Sequence, residues 1–354
     1  MGAPLLTTNG MFIVDEIHIR DGSNYKDVPG GGGMFAMLGG CIACLDERLS
    51  LGLKWIIDCG YDFPLSLTET IQSWDTGAVF RHDTSRKTTK GWNYYRDNDF
   101  RDFKYLTPKK QIDVKDWCEV FGKDQLREMK CLHLLCSSTR CIDMIKQLER
   151  IQCRNETYVW EPIPDLCNQE YFNEIKQIVQ KTNGPVIIFS PNAEEGARIF
   201  GDKEPLTLEA CLKYIWKFDT FIGDKNICVL RCGKLGSISL GAKDSVTGRR
   251  SVLHLPAYHY ETPNSVVDPT GGGNSFLGGF CVGYTITRDL YIANICANIA
   301  AGCVIEQIGI PTFDPIEKKW NGLTFEQRLE IYVKTNKLNY DTERICKLLE
   351  NYAL

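Results

Sequence analysis

The chain has 354 residues, 43% of them hydrophobic and 24% charged, with a formal net charge of −4. Those values describe a globular protein with material for a full core, and 41 Lys plus Arg against 45 Asp plus Glu leave no broad basic surface for nucleic acid. No stretch approaches the ~18 consecutive apolar residues that span a bilayer, and Met1 to Gly10 lacks the basic and apolar regions of a secretory signal. The sixteen cysteines are scattered through apolar segments, so they read as small buried hydrophobes of a reducing compartment, with the cytoplasm as the expected location.

In chain order, Met11 to Val14 predicts a short buried strand, followed by acidic Asp15 and Glu16. A polar stretch from Asp21 to Pro29 leads into four glycines, Gly30 to Gly33, and then an apolar, helix-like segment through Leu45. Leu53 to Ile57 predicts a second strand ending at Asp58. Between Arg81 and Lys115 the composition turns polar and aromatic, with Trp92, Tyr94, Tyr95, Phe100, Phe103 and Tyr105 among many charges. That is poor core material and suits an excursion of exposed strands. Strand-like runs return at His133–Leu135, Tyr158–Trp160, Pro185–Phe189 and Ile227–Leu230, with helical stretches at Tyr171–Gln180 and Leu206–Phe218 between them. Strands alternating with helices predict an α/β fold, its mostly parallel sheet covered on both faces. Thr324 to Gln327 fits a capping box at the start of a C-terminal helix.

Two glycine clusters compete as phosphate loops. Gly31-x-Gly33-x-x-Ala36, with Asp58 downstream at a strand end, formally meets the relaxed dinucleotide fingerprint. That fingerprint needs its glycines directly after a strand, and here a polar stretch separates Val14 from Gly30. The second cluster, Asp268-Pro-Thr-Gly271-Gly272-Gly273-Asn274, opens an apolar run that continues as a helix. A helix N-terminus with converging N–H groups is an anion hole. Cys41-x-x-Cys44 has no second pair to complete a metal site, and His133 between Leu132 and Leu134 reads as a core or rim histidine.

The segment Asp268 to Asn274 resembles the signature of the PfkB, or ribokinase-like, carbohydrate kinases, and it looks closest to their fungal maintenance-of-killer (Mak) branch, which is also similar around Asp83 to Thr89. The resemblance covers roughly residues 7 to 312. It implies a ribokinase-like fold in a single domain, 1–354, with lid segments near 18–30 and 80–115. It also implies ATP, Mg²⁺ and a monovalent cation such as K⁺ as cofactors, and a sugar-like or nucleoside-like substrate. On the matching positions it assigns Asp15 and Gly31, Gly32 and Gly33 to the substrate, and Gly271, Gly272 and Gly273 to the anion hole. Asn192, Gly233, Gly236 and Asn298 fall to the nucleotide, Glu195 to Mg²⁺ through water, and Asp268 to the monovalent cation. The Asn that usually follows the sugar-side glycines is Met34 here.

One departure bears on the chemistry. The family's last signature residue is an Asp that takes the proton of the sugar hydroxyl, and this chain has Asn274 there. An amide has no basic site near pH 7, and losing a positioned base costs about 10²- to 10⁴-fold. The expectation is a protein that binds ATP and a sugar-like ligand with weak or absent kinase activity. Glu161, in place of the family's mid-chain Asp, is the one carboxylate expected to rescue an active kinase. Arg231 replaces the family's Thr before Gly233, where it either grips phosphate or lies solvated. The aromatic and basic segment from Arg81 to Tyr105 reads as a lid that covers sugar and pairs two subunits, or as an RNA-stacking surface. Resemblance to the Mak branch implies the further alternative of a protein that stabilises viral double-stranded RNA particles.

Overall fold

Alternation along the strands builds two cores at once. In the computed structural model, which describes residues 4–20, 22–95 and 101–350, seven strands form the central sheet. Its order is Leu6–Thr8, Cys131–Leu135, Thr157–Glu161, Val186–Phe189, Ile227–Arg231, Ser237–Lys243 and Arg250–Leu255. The first five run parallel and the last two return antiparallel. Cys131, Val159, Ile188, Ile227 and Val229 point into one core, with helices Gly32–Ala43, Gly272–Thr287 and Leu290–Val304. Leu132, Leu134, Trp160, Phe189 and Leu230 point into the other, beneath helices Val114–Phe121, Ser138–Arg150, Phe172–Val179 and Leu208–Asp219. Successive strand residues face opposite sides, so one apolar run fills both layers.

A pair of parallel strands, Lys54–Gly60 and Gly77–Asp83, continues this edge through a bridge between Leu6 and Leu53. The second sheet is separate, with the order Asn24–Gly30, Ile13–Ile19, Lys90–Tyr95 and Arg101–Tyr105. Its first strand falls in the segment near 18–30 expected to belong to a lid, and four of its residues are exposed. Of the lid segments, Asp21 and residues 96–100, Phe100 included, lie outside the described residues, as do Met1 and Gly2. Trp92 stacks on Tyr94 at 5.8 Å, and the Lys104 ammonium sits 4.6 Å above the Trp92 ring.

The helix Gly272–Thr287 begins at Gly271, whose φ of +80° suits glycine, and any side chain there would strike the Phe35 ring. Further along the same helix, Gly278 lies against the Ala36 carbonyl, which lets it and Gly32–Ala43 pack backbone to backbone. All sixteen cysteines are free thiols, and burial pushes Cys41 up to about 12, so the Cys41–Cys44 pair is inert filling. Among the described residues no helix is long and apolar enough to cross a membrane.

Candidate active site

Three strand ends and one helix start converge. Glu161 closes the strand Thr157–Glu161 and Arg231 closes Ile227–Arg231. Each faces the same side as Val159 and Val229, the side that the helix Gly272–Thr287 covers. This is the carboxyl edge of a parallel sheet, where α/β folds place ligands. Asn274, in the first turn of that helix, donates from Nδ2 to Glu161 Oε2 at 2.9 Å. The same oxygen takes His133 Nε2 at 3.0 Å, and Glu161 Oε1 pairs with Arg231 Nη1 at 2.7 Å. Since a carboxylate only accepts, His133 donates to it from Nε2, and its Nδ1 hydrogen-bonds with the Thr8 hydroxyl 2.9 Å away.

Arg231 is 9% exposed and no solvated surface residue. Its Nη2 donates to the Ser190 carbonyl at 3.2 Å and reaches Glu195 Oε2 at 3.5 Å, while its Nε is buried without a partner. A Cβ on Gly273 would sit 2.6 Å from Arg231 Nη1, so the guanidinium lies directly against the glycine turn. A guanidinium cation therefore stands beside the N-terminus of the helix Gly272–Thr287. Burial disfavours the Glu161 charge, but Arg231, His133 and Asn274 outweigh it and hold the carboxyl down at about 2. For Glu195 burial wins over Arg231 and pushes the carboxyl up to about 7.

The other expected residues divide. Gly32 belongs to this centre, since a Cβ on it would stand 3.1 Å from Asn274 Nδ2. Asp15 is buried in the small sheet, its carboxylate lying where side chains on Gly30 and Gly91 would be. Gly31 caps the helix Gly32–Ala43, Gly33 packs on Gly10, and Met34 is buried in the core. Asn192 and Glu195 form a reciprocal capping box on the helix Ala193–Arg198, with Glu195 Oε2 accepting from the Asn192 N–H at 2.7 Å. Gly233 and Gly236 bound a tight turn leading into Ser237. Asn298 is buried beside that turn and donates to the Asn294 carbonyl at 2.9 Å. Asp268 holds the approach to the glycine turn by accepting from the Thr270 N–H at 2.9 Å. Among the described residues no group of three or more His, Cys, Asp or Glu side chains could hold a metal ion.

His133 and Thr8 were missed as members of the centre. Alternation offered the one signal: His133 shares its strand face with Cys131, beneath the helix that carries Asn274. Asp58, the would-be ribose partner, pairs with Arg81 at 2.6 Å and with Lys110 at 3.3 Å. That pairing, and not the lack of a strand before Gly31, removes the dinucleotide reading, because Asn24–Gly30 is a strand.

The profile described as pfkB family carbohydrate kinase matches residues 107–316. The chain belongs to the PfkB carbohydrate kinase family. Among its PfkB relatives, it is 51% identical to Protein MAK32 of Saccharomyces cerevisiae over 352 residues, 98% of this chain and 96% of that protein. Ribokinase from Giardia lamblia superposes with a TM-score of 0.67 at 14% identity, covering 95% of this chain and 99% of that one. Ribokinase from Cryptococcus neoformans in complex with ADP gives 0.63 at 15% identity, covering 93% and 99%. Likeness at those identities establishes the ribokinase-like fold.

Proposed function

We propose that this PfkB chain binds ATP and a sugar-like or nucleoside-like ligand and transfers phosphate weakly or not at all. The observation that carries the reading is the Asn274–Glu161 hydrogen bond at 2.9 Å. The position that would accept a hydroxyl proton bears an amide, and the nearest carboxylate is occupied by three donors. A carboxyl held down at about 2 is a poor proton acceptor for a sugar hydroxyl. This argues against the alternative of an active kinase in which Glu161 replaces the base. A helix N-terminus, Gly271 to Gly273 and the Arg231 guanidinium against Gly273 would together form the anion hole. Arg231 would ion-pair a terminal phosphate, and Asp15 beside Gly30 to Gly33 would hold the sugar hydroxyls. Both nearby carboxylates pair with Arg231, so the residues fit Mg²⁺ only as an ion carried by the nucleotide, with Glu195 reaching it through water. A bound Mg²⁺ would supply charge neutralisation on the phosphates.

Calorimetric titration with Mg·ATP tests the reading. The wild-type chain is expected to bind saturably, and Gly273→Ala, which fills the space against Arg231, to weaken binding at least about tenfold. No binding by the wild type would remove the small-molecule reading. It would then favour the second one, a structural partner of viral double-stranded RNA particles resident in the cytoplasm. That reading draws on the likeness to Protein MAK32 and on the aromatic and basic face of Trp92, Tyr94 and Lys104.

A further inference from the structure

Asn and Asp have the same shape. An aspartate in place of Asn274 would therefore put a carboxylate oxygen where Asn274 Nδ2 now stands, 2.9 Å from Glu161 Oε2. Two carboxylates that close cannot both ionise without a large penalty. The amide at 274 suits the carboxylate that Glu161, one carbon longer than an aspartate, brings within 2.9 Å of it. We propose that positions 161 and 274 form one complementary pair holding a single anion and a single amide, with Glu161 carrying the anion and Asn274 positioning it. Asn274→Asp alone then damages the centre, and only the exchange of both residues rebuilds it. The inference rests on reading this centre as a phosphoryl-transfer site without its base.

The exchange is chemically closed. In Glu161→Gln/Asn274→Asp the carbonyl of the introduced amide can accept from Arg231 Nη1 as Glu161 Oε1 does now. That amide has two N–H groups, one for the introduced carboxylate and one for His133 Nε2. With a proton on Nδ1, His133 would donate to the Thr8 hydroxyl across the present 2.9 Å contact. Charge and the number of hydrogen bonds are unchanged. The groups facing the pair are Arg231 and His133 from the strands, and Glu195 behind Arg231 on the helix Ala193–Arg198. From the signature helix comes only the Cys281 thiol, which burial keeps protonated.

Melting curves at pH 5 and pH 8 on the full chain distinguish the possibilities. In Asn274→Asp one carboxyl of the pair is raised above its unfolded value, so the folded state holds a proton that the unfolded chain has released. Its stability falls as pH rises between those two values. The variant is expected to melt about 5 °C below wild type at pH 8 and to recover most of that by pH 5. Asn274→Leu, which removes the donor without adding charge, should lose the same amount at both pH values. Glu161→Gln/Asn274→Asp should melt within about 2 °C of wild type at both. Should Asn274→Asp not fold at pH 8, rescue by Glu161→Gln carries the test. Wild-type melting of Asn274→Asp across this range would overturn the proposal, as would a double variant no more stable than Asn274→Asp. These readouts require no ligand, so they stand or fall apart from the titration with Mg·ATP.

Discussion

Two buried clusters in this molecule use the same side chains. At the sheet edge Thr8, His133 and Glu161 run in line, with Arg231 and Asn274 closing on the carboxylate. Beneath the C-terminal helix Phe325–Thr335, Thr262, His259 and Glu306 do so, with Arg328 and Asn321. Both glutamates are held down at about 2 against burial. The second cluster is a joint: Arg328 grips Glu306 with both terminal nitrogens, at 2.7 and 2.9 Å, and also bonds the Trp320 carbonyl. In the first, Arg231 spans two carboxylates with one nitrogen each, against the glycine turn of a helix N-terminus. A hydroxyl–His–Glu–Arg–Asn set is therefore no signature of chemistry by itself. What separates the two is that one lies against the glycine turn 271–273 at a helix N-terminus.

Removing each arginine should break the parallel. Arg231→Leu strands Glu161 and Glu195, both 4% exposed, and is expected to cost about 3–5 kcal/mol in urea unfolding at pH 8. Both carboxyls would then be raised, so the cost should shrink as pH falls to 5 and they take up protons. Arg328→Leu leaves Glu306, whose side chain is 21% exposed, with partial access to water. Its cost should be smaller, about 2 kcal/mol, with Mg·ATP binding unchanged. Equal losses and equal pH dependence would show that both clusters are only structural.

Much of this was legible before the structure. Continuous apolar runs at Tyr158–Trp160 and Ile227–Leu230 marked strands buried on both faces, and Thr324 to Gln327 forms the capping box its spacing called for. The glycine turn at 271–273 starts a helix, as its composition required. The strand Asn24–Gly30 was expected from the resemblance alone, because most of it is exposed and carries no apolar alternation. Arg231 and Glu161 lie far apart in sequence, and only the intervening strand Val186–Phe189 brings their ends within an ion pair. Asn192 and Glu195 carried two meanings at one spacing, a phosphate motif and a capping box, and the backbone uses the second.

The smallest expected effect separates those two meanings. Glu195→Gln keeps a capping side chain and removes a carboxyl that burial has pushed up to about 7. Such a raised carboxyl costs stability increasingly as pH climbs from its unfolded value toward 7, so the variant should gain about 1–2 kcal/mol at pH 8 and nothing near pH 4.5. A loss at pH 8 would mean that the Arg231 contact outweighs desolvation.

The most direct measurement is ADP release from Mg·ATP by the wild-type chain over a panel of pentoses, hexoses and nucleosides, set beside Glu161→Gln/Asn274→Asp. Wild-type turnover is expected to fall about 10²- to 10⁴-fold below that of the exchanged pair on any sugar that supports it. Wild-type turnover equal to or above that of the exchanged pair would contradict a centre that binds its ligands but lacks its base.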